Sequence, residues 1–443
     1  MEQKTARVLA YEALFAVLEK DAYANLALQA SFRMPLSPED RKFLTELVYG
    51  TLRHLQTLAW HINRISSRPV QKLDASVRIL LFLGLDQLLY MNSVPDSAAV
   101  NETVKIAKRV THAGNVKFVN AVLRNWLRKK ETLCLPTVEE DPVMAAALSL
   151  NMPTWLIRRW QKAFGVEKAN AVFQAFQEIR PTDIRVNLLK ISKETLIKEL
   201  SDIGCAPSAI PGCENGLTLQ DAGPFFHGRF LADGKAYVQN RASMLPAEIL
   251  APQVGEAILD MCAAPGSKTT QMATMMGNQG RVVCWDLYPH KIKLIAENAK
   301  RLGLTNIYPA VHDATKAEGK DVAAFDRVLL DAPCSGLGVI GRKIEIRWRR
   351  KEKDLAVFPP LQKKLLDAAA QAVRPGGILV YSTCTLERAE NEEQITAFLS
   401  RHSDFELTPF AAGEKEAPEG MLTLWPDTDG CDGFFVAKLR RKA

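Results

Sequence analysis

The sequence predicts a multidomain protein that begins with an all-helical bundle, continues through a small α+β connector and ends in a doubly wound α/β domain. Its 443 residues, 47% of them hydrophobic and 24% charged, are enough for two or three domains with separate cores. Apolar residues recur at helical spacing early in the chain, whereas strands and helices alternate towards its end. We therefore expect domains at 1–138, 143–232 and 236–443.

The N-terminal segment carries a continuous helical pattern. The apolar residues of its first helix share one face; they are Ala6, Leu9, Ala10, Ala13, Leu14, Val17 and Leu18. A second helix is expected to begin at Ser37-Pro38-Glu39-Asp40, which supplies a capping hydroxyl, a proline for the first turn and two acids for the positive helix end. Further helices are expected at about 73–91, 97–110 and 115–130. This pattern predicts a bundle without strands.

Basic side chains line one face of each of the last two predicted helices. Five of them are candidate nucleic-acid contacts: Lys105, Lys108, Arg109, Lys117 and Arg124, with Arg128 on the same face as the last two. The net charge of +7 favours an anionic partner. An ordinary solvated surface is the alternative for either helix taken alone.

An acidic, proline-containing stretch at 135–142, LPTVEEDP, is expected to link the bundle to a mixed segment. That segment contains two helical patterns, WLIRRWQKAF and KETLIKELSDIG, and three strand-like pieces, DIRVNLL, LTLQ and FFHGRF. It is therefore predicted to be a small α+β connector. Arg185, in DIRVNLL, is a further candidate contact to an RNA backbone.

The C-terminal part alternates strands with helices. Strand AILDM is followed by helix TTQMATMM, RVVCWDL by HKIKLIAENAKRLG, IYPAVHD by a short connection, DRVLLDA by a loop and LQKKLLDAAAQAV, and GILVYST by NEEQITAFLSRH. This alternation is typical of a parallel sheet with helices on both faces and ligands at the carboxyl ends of its strands.

The first strand-to-helix turn of this domain, LDMCAAPGSKTTQ at 259–271, is a candidate cofactor site. It contains neither G-x-G-x-x-G nor G-x-x-x-x-G-K-[ST], which argues against a dinucleotide or a nucleoside triphosphate. A nucleoside cofactor without phosphates, S-adenosyl-L-methionine, fits what remains. Asp286 ends the second strand, where a ribose acceptor is expected, Asp313 ends the third, near the adenine edge, and Lys268 is placed to bind the cofactor's carboxylate. Each acid taken alone could instead cap a turn or helix.

Two successive strand ends carry a cysteine. DAPCSG follows the fourth strand and YSTCT the fifth, so Cys334 and Cys384 are expected to be neighbours beside the cofactor. Methylation of carbon 5 of cytosine needs a thiolate that attacks carbon 6 and a second group that removes the carbon 5 proton. Asp331 can hydrogen-bond such a base near nitrogen 3. Methylation of an exocyclic nitrogen needs no covalent adduct, and its loop would be expected to read Asn/Asp-Pro-Pro-aromatic rather than Asp-Ala-Pro-Cys.

Four blocks, DMCAAPGSK, DAPCSG, YSTCT and GCDGFF (430–435), resemble the signature blocks of the Sun/Fmu family of RNA 5-methylcytosine methyltransferases. The helical N-terminal segment, with KFVNAVLR at 117–124, is similar to the NusB-type RNA-binding domain. The resemblance spans essentially the whole chain. It implies a Rossmann-like methyltransferase domain, S-adenosyl-L-methionine as cofactor, 16S ribosomal RNA as substrate and a monomeric protein. It also implies that Cys384 is the nucleophile and that Cys334 assists product release.

The same resemblance places cofactor contacts in the first turn and at three strand ends. The residues are Cys262, Ala263, Ala264, Pro265, Gly266, Ser267, Lys268, Asp286, Asp313 and Asp331. Ser267 stands where the family usually has a second glycine. A serine is small enough for the turn unless the position needs a positive φ angle.

Other kinds of site and protein are disfavoured. The eight cysteines form neither a C-x-x-C pair nor a compact cluster with histidines, so no metal site or disulfide framework is expected. The longest apolar run, ILLFLGL at 79–85, is too short to cross a membrane, and the N-terminus has no signal-type core, so a cytoplasmic protein is expected. A non-catalytic RNA-binding factor is the main alternative, against which the cofactor turn and both cysteines count. A dehydrogenase would need the missing glycine fingerprint.

Overall fold

The computed structural model describes residues 4–443, apart from the side chain of Lys320, and groups them into two compact units. The first unit contains the chain up to Gln177 together with the segment Ile340–Glu352. The second contains Glu178–Val339 and Lys353–Ala443. The chain therefore leaves the second unit shortly after Cys334 and re-enters it before the next long helix. The predicted boundaries of three domains stay a prediction.

The first unit is helical, as its sequence pattern predicts. Its helices up to Gln177 are α1 (Ala6–Glu19), α2 (Ala24–Ser31), α3 (Pro38–Ile65), α4 (Ala75–Tyr90), α5 (Asp96–Val110), α6 (Ala113–Lys129), α7 (Pro142–Ser149), α8 (Thr154–Phe164) and α9 (Val166–Ala175). The predicted start at Ser37 is confirmed, because its hydroxyl accepts a hydrogen bond from Asp40 N at 3.1 Å. The apolar faces of α1 and α3–α6 pack into one core.

A small antiparallel sheet opens the second unit. Its strands are β1 (Thr182–Val186), β2 (Pro207–Ala209), β3 (Gly216–Leu219) and β4 (Ala236–Val238), in the order β2-β3-β1-β4. The predicted strand at FFHGRF is wrong, since Gly223–His227 form a short helix. Pro224 suits the first turn of that helix, and Asp221 Oδ1 accepts a hydrogen bond from Gly223 N at 2.8 Å.

A larger sheet follows. Its strands are β5 (Ala257–Asp260), β6 (Arg281–Asp286), β7 (Ile307–Val311), β8 (Phe325–Asp331), β9 (Val373–Thr383), β10 (Phe405–Leu407), β13 (Met421–Leu424) and β14 (Phe434–Arg441), with β11 (Phe410–Ala412) and β12 (Lys415–Ala417) forming a separate hairpin. The order is β10-β14-β9-β8-β5-β6-β7, and β13 also pairs with β14. The later helices are α10 (Lys193–Asp202), α11 (Gly223–His227), α12 (Arg241–Leu250), α13 (Ser267–Met275), α14 (Pro289–Leu302), α15 (Ile346–Arg349), α16 (Phe358–Ala372), α17 (Glu392–Arg401) and α18 (Pro426–Asp429).

The sheet is mixed rather than wholly parallel. Strands β5 to β9 pair in parallel as predicted. By contrast, β14 runs antiparallel to β9, β10 and β13. The connection from β13 to β14 holds only the short helix α18 (Pro426–Asp429), which is too short for the crossover that parallel neighbours need.

The order of the parallel strands creates a ligand crevice. From β5 the chain moves outward to β6 and β7, and it then returns to build β8 and β9 on the other side of β5. The direction in which successive strands are added to the sheet thus reverses between the parallel neighbours β5 and β8, where Asp260 is registered with Leu329. Ligands of doubly wound sheets bind at such a switch point, outside the carboxyl ends of the strands.

The segment Ile340–Glu352 is built into the core of the helical unit. Ile344 is buried among the helices, and Trp348 Nε1 donates a hydrogen bond to Leu52 O at 2.6 Å. Arg347 is only 1% exposed; its guanidinium donates to Ile340 O at 2.9 Å and to Phe176 O at 3.1 Å. Burial lowers the pKa of Arg347 to about 9. The basic run at 347–351, RWRRK, is therefore not wholly on the surface, because Arg347 is buried.

Replacing Arg347 should destabilise the helical unit. In Arg347→Ala the carbonyls of Phe176 and Ile340 lose their donors inside the protein, so the free energy of unfolding should fall by about 3 kcal/mol. Arg347→Lys should recover only part of this loss, because a single ammonium lacks the guanidinium fork. Urea denaturation measures both variants, with the exposed Arg33→Ala as control. Equal stability of Arg347→Ala and wild type would contradict this interpretation.

Candidate active site

Three loops meet at the carboxyl ends of β5, β8 and β9. Because β8 and β9 are parallel neighbours, the loops that follow Asp331 and Thr383 lie side by side. The sulfurs of Cys334 and Cys384 are 3.4 Å apart. The predicted convergence of the two cysteines is thus confirmed.

The two thiols share a hydrogen bond. Contact with the Cys384 sulfur and burial together raise the pKa of Cys334 well above its usual range, and the carboxylates of Glu390 and Asp331 add to the effect. The direction of this shift means that the neutral thiol is the favoured form of Cys334. Either sulfur can be the donor of the bond that joins the two thiols.

Two glycines support the loop that carries Cys384. Gly338 N donates to Cys384 O at 3.0 Å, and Gly433 N donates to Gly338 O at 2.8 Å. A Cβ atom on Gly338 would lie 2.1 Å from Gly433 O, so only glycine fits. The GCDGFF block, quoted above only for its resemblance, thus has a structural role beneath the loop of Cys384.

Asp331 is oriented by two side chains. Its Oδ2 accepts a hydrogen bond from Lys268 Nζ at 2.7 Å, and its Oδ1 accepts one from Ser382 Oγ at 2.8 Å. Lys268 is 7% exposed and also donates to Ser243 Oγ at 2.9 Å. The pairing of the Lys268 ammonium with Asp331 was not predicted from the sequence, and the predicted contact of Lys268 with the cofactor's carboxylate stays a prediction.

The turn between β5 and α13 has the backbone of a tight ligand loop. Gly266 has a φ angle of 96°, and a Cβ atom there would lie 3.3 Å from Ile295. The next residue, Ser267, begins α13 with ordinary helical backbone, so the family's second glycine is not required here. Ala263 N donates to Trp285 O at 2.9 Å, which ties the turn to the end of β6.

Asp260 lies beneath this turn with an unused oxygen. Its Oδ2 accepts a hydrogen bond from Thr269 Oγ1 at 2.6 Å. Its Oδ1 is buried and has no hydrogen-bond partner within residues 4–443 as described. A buried acceptor without a partner, next to a glycine turn at the switch point, fits a polar ligand such as S-adenosyl-L-methionine.

The two other predicted cofactor acids differ from each other. Asp286 is 7% exposed at the end of β6, where Lys291 Nζ lies 3.4 Å from its carboxylate. Asp313 is exposed, and hydrogen bonds from the side chain and backbone of Thr315 lower its pKa. The position of Asp286 fits a ribose acceptor, whereas Asp313 already uses one oxygen in its own turn. Both roles stay predictions.

Comparisons with known proteins identify the family. The model described as 16S rRNA methyltransferase RsmB/F matches residues 247–440, the NusB family model matches 4–128, and the RsmF/B-like ferredoxin-like domain matches 152–225. The probable ribosomal RNA small subunit methyltransferase B of Bacillus subtilis is 39% identical, and the match covers 100% of both chains. This chain belongs to the ribosomal RNA small subunit methyltransferase B family.

Solved structures agree with this family. The crystal structure of PH0851 is 27% identical, with a TM-score of 0.87 over 99% of each chain. The structure of NSun6 from Pyrococcus horikoshii with SFG is 25% identical, with a TM-score of 0.59 over 66% of this chain and 98% of that one. The predicted fold class is confirmed, and so is S-adenosyl-L-methionine as the cofactor of this methyltransferase.

The basic faces predicted within the NusB-like part lie in solvent. Lys105, Lys108, Arg109, Lys117, Arg124 and Arg128 are exposed on α5 and α6. The apolar residues between them, among them Ala107, Val119 and Trp126, are buried. Some of these side chains are engaged locally: Lys105 pairs with Glu102, and Arg124 donates to Asn120. A role of these faces in RNA binding stays a prediction.

Arg185 does not lie where a contact to RNA was predicted. It is 2% exposed, and its guanidinium donates to Ser267 O at 2.6 Å, to Thr270 Oγ1 at 2.9 Å and to Gln239 Oε1. Burial lowers its pKa to about 10. The side chain is therefore a brace for the start of α13. The sequence does hold a sign of this burial, because Arg185 stands between two hydrophobic residues in a strand-like segment.

Among the described residues, no group of three or more His, Cys, Asp and Glu side chains could hold a metal ion. In the same part of the chain, no helix has the length and apolar character needed to cross a bilayer.

Asp260 should make stability depend on pH. Burial raises the pKa of Asp260 to about 7 from an ordinary value of 3.8, and the nearby Asp331 adds to the effect. Between those values the folded protein binds the extra proton, so the free energy of unfolding falls as pH rises. Asp260→Asn removes this proton, and its stability without cofactor should fall less than that of wild type between about pH 4 and 8.

Urea denaturation across this pH range tests the assignment. Asp313→Asn is the matched control, since the pKa of Asp313 is shifted downward and its replacement leaves the Asp260 effect in place. If the free energy of unfolding changed with pH in the same way for Asp260→Asn and wild type, Asp260 would not be the group that binds the extra proton.

Proposed function

We propose that this protein methylates carbon 5 of a cytosine in 16S ribosomal RNA through a covalent bond between Cys384 and the base. The observation that carries the proposal is the sulfur–sulfur distance of 3.4 Å beside Asp331. Membership of the small subunit methyltransferase B family supports ribosomal RNA as the substrate. Action as a monomer in the cytoplasm belongs to the same proposal.

Cys384 is the proposed nucleophile. Its thiolate attacks carbon 6, a carbon–sulfur bond forms, and the electron pair of the 5,6 double bond moves towards carbon 5. Bound S-adenosyl-L-methionine supplies the electrophilic methyl group that carbon 5 accepts. The target cytosine must be unpaired or flipped to expose carbon 6 to the sulfur.

Cys334 is the proposed acid/base group. It stabilises the resting thiolate of Cys384 by donating its S–H. Once Cys384 is a thioether, the hydrogen bond and charge that raise the pKa of Cys334 are lost, so Cys334 can release its proton to solvent more easily. The Cys334 thiolate then takes the proton from carbon 5, the double bond re-forms and Cys384 leaves as a thiolate.

Asp331 is the proposed contact to the base near nitrogen 3. Lys268 and Ser382 fix both of its oxygens, so the carboxyl group is held in one orientation before the base enters. Arg185 and Gly266 fix the turn at the start of α13, where the proposed cofactor contacts lie. The exposed basic faces of α5 and α6 are the proposed contacts to the RNA backbone.

Substitution of each cysteine separates the two roles. Cys384→Ala should abolish both methylation and any covalent complex with RNA, because no sulfur attacks carbon 6. Cys334→Ala should still transfer the methyl group but remain attached to RNA, because the carbon 5 proton is not removed. A denaturing gel with labelled RNA detects the complex. Trapping by Cys384→Ala rather than Cys334→Ala would reverse the assignment.

The reaction itself is tested with labelled cofactor and 16S ribosomal RNA that lacks the modification. After digestion of the RNA, the label should appear in 5-methylcytidine. Cys284→Ala is a useful control, since Cys284 is a buried thiol in the middle of β6 rather than at a strand end. Label found only in an N-methylated nucleoside would overturn carbon methylation.

A further inference from the structure

Two consecutive residues, Glu390 and Asn391, lie directly behind both thiol loops. They precede α17, and each is 1% exposed. Neither can touch an RNA substrate from the interior. Their polar groups instead bind the chain on either side of the two cysteines.

Glu390 fixes the loop of Cys334. Its Oε2 accepts a hydrogen bond from Ser335 N at 2.9 Å and another from Gln362 Nε2 at 3.0 Å. Gln362 Nε2 also donates to Pro333 O at 3.0 Å. The residues before and after Cys334 are therefore both held through one buried carboxyl group.

Asn391 fixes the loop of Cys384 in the same way. Its Oδ1 accepts a hydrogen bond from Thr383 Oγ1 at 2.6 Å, and its Nδ2 donates to Thr385 O at 3.0 Å. The two loops are also joined directly, since Ser335 Oγ and Thr385 Oγ1 are 2.7 Å apart. The neighbours of Cys384 in the chain are thus both fixed by Asn391, and those of Cys334 are fixed by Glu390 together with Gln362.

We propose that Glu390 and Asn391 are positioning residues that together set the distance between the two sulfurs. Asn391 aims the Cys384 sulfur, and Glu390, with Gln362, aims the Cys334 sulfur. Because the two side chains are neighbours in the chain, movement of one loop is transmitted to the other. The separate roles given to the two sulfurs rest on the proposed function; the control of their distance does not.

The sulfur distance can be measured without RNA. Phenylarsine oxide binds tightly only where two thiols reach one arsenic atom, so wild type should bind it with an affinity that Cys334→Ala and Cys384→Ala both lose. Asn391→Ala and Gln362→Ala should weaken this binding by about 10-fold or more, since the second thiol is less well placed. Glu390→Ala should do the same, and Glu390→Gln, which keeps an acceptor oxygen, should recover part of the affinity.

The kinetics of the reaction with RNA should distinguish Asn391→Ala from Gln362→Ala. Misplacing the nucleophile in Asn391→Ala should slow formation of the covalent complex by about 100-fold. Gln362→Ala should form the complex at a rate close to that of wild type but release product slowly, so that RNA-bound protein accumulates on a denaturing gel. The KM for RNA should change little in either variant, because the side chains are buried.

Asn306→Ala is the matched control. Asn306 is 5% exposed and donates to Gln279 O at 3.0 Å, next to the edge strand β7 rather than beside β8 and β9, which carry the thiols. It should lose comparable stability and keep wild-type arsenic binding. If Glu390→Ala does not fold, Gln362→Ala carries the test of that loop. Variants at 362 and 391 that melt as wild type and bind the arsenical as wild type would overturn the proposal, whatever the reaction with RNA proves to be.

Discussion

The parallel pairing of β8 with β9 is the constraint on which the site depends. It sets Asp331 opposite Ser382, so that the serine hydroxyl reaches the carboxylate and the two loops leave the sheet together. A slip of one residue would turn Ser382 to the other face of the sheet and shift one sulfur relative to the other. The register of two buried strands therefore fixes the acid, its hydroxyl partner and both thiols in one step.

The antiparallel strand β14 extends this constraint to the end of the chain. It pairs with β9 along six registered residues, from Phe435 opposite Thr383 to Arg440 opposite Ile378. Gly433 precedes β14 and donates to Gly338, which in turn donates to the carbonyl of Cys384. The loop of Cys384 is thus held by the glycine backbone on one side and by Asn391 on another. Under the proposed function, these hydrogen bonds pre-organise the Cys384 sulfur before the base binds.

The features that could be predicted from the sequence are those that depend on the local spacing of residues or on the order of the strands. The helices of the bundle, the strands β5 to β9 and the convergence of Cys334 with Cys384 follow from periodicity and from the rule that parallel strands end together. What depended on contacts between distant residues was missed. Arg347 and Arg185 are buried because carbonyls from other segments surround them, and no local pattern records that. The partner of Lys268 and the place of segment Ile340–Glu352 were missed for the same reason.

The buried cations of this protein bind groups of the protein itself and are not available to attract RNA phosphates. Arg185, Lys268 and Arg347 are each less than 10% exposed and bind oxygen atoms of the protein itself. Their charged groups hold α13, Asp331 and the segment Ile340–Glu352 in place. Under the proposed function, attraction for RNA phosphates comes from exposed cations such as those of α5 and α6, which salt screens readily. On the same proposal, the thiol site recognises a base through fixed hydrogen-bonding groups and sulfur positions, so ionic strength should govern RNA capture far more than the bond-making steps.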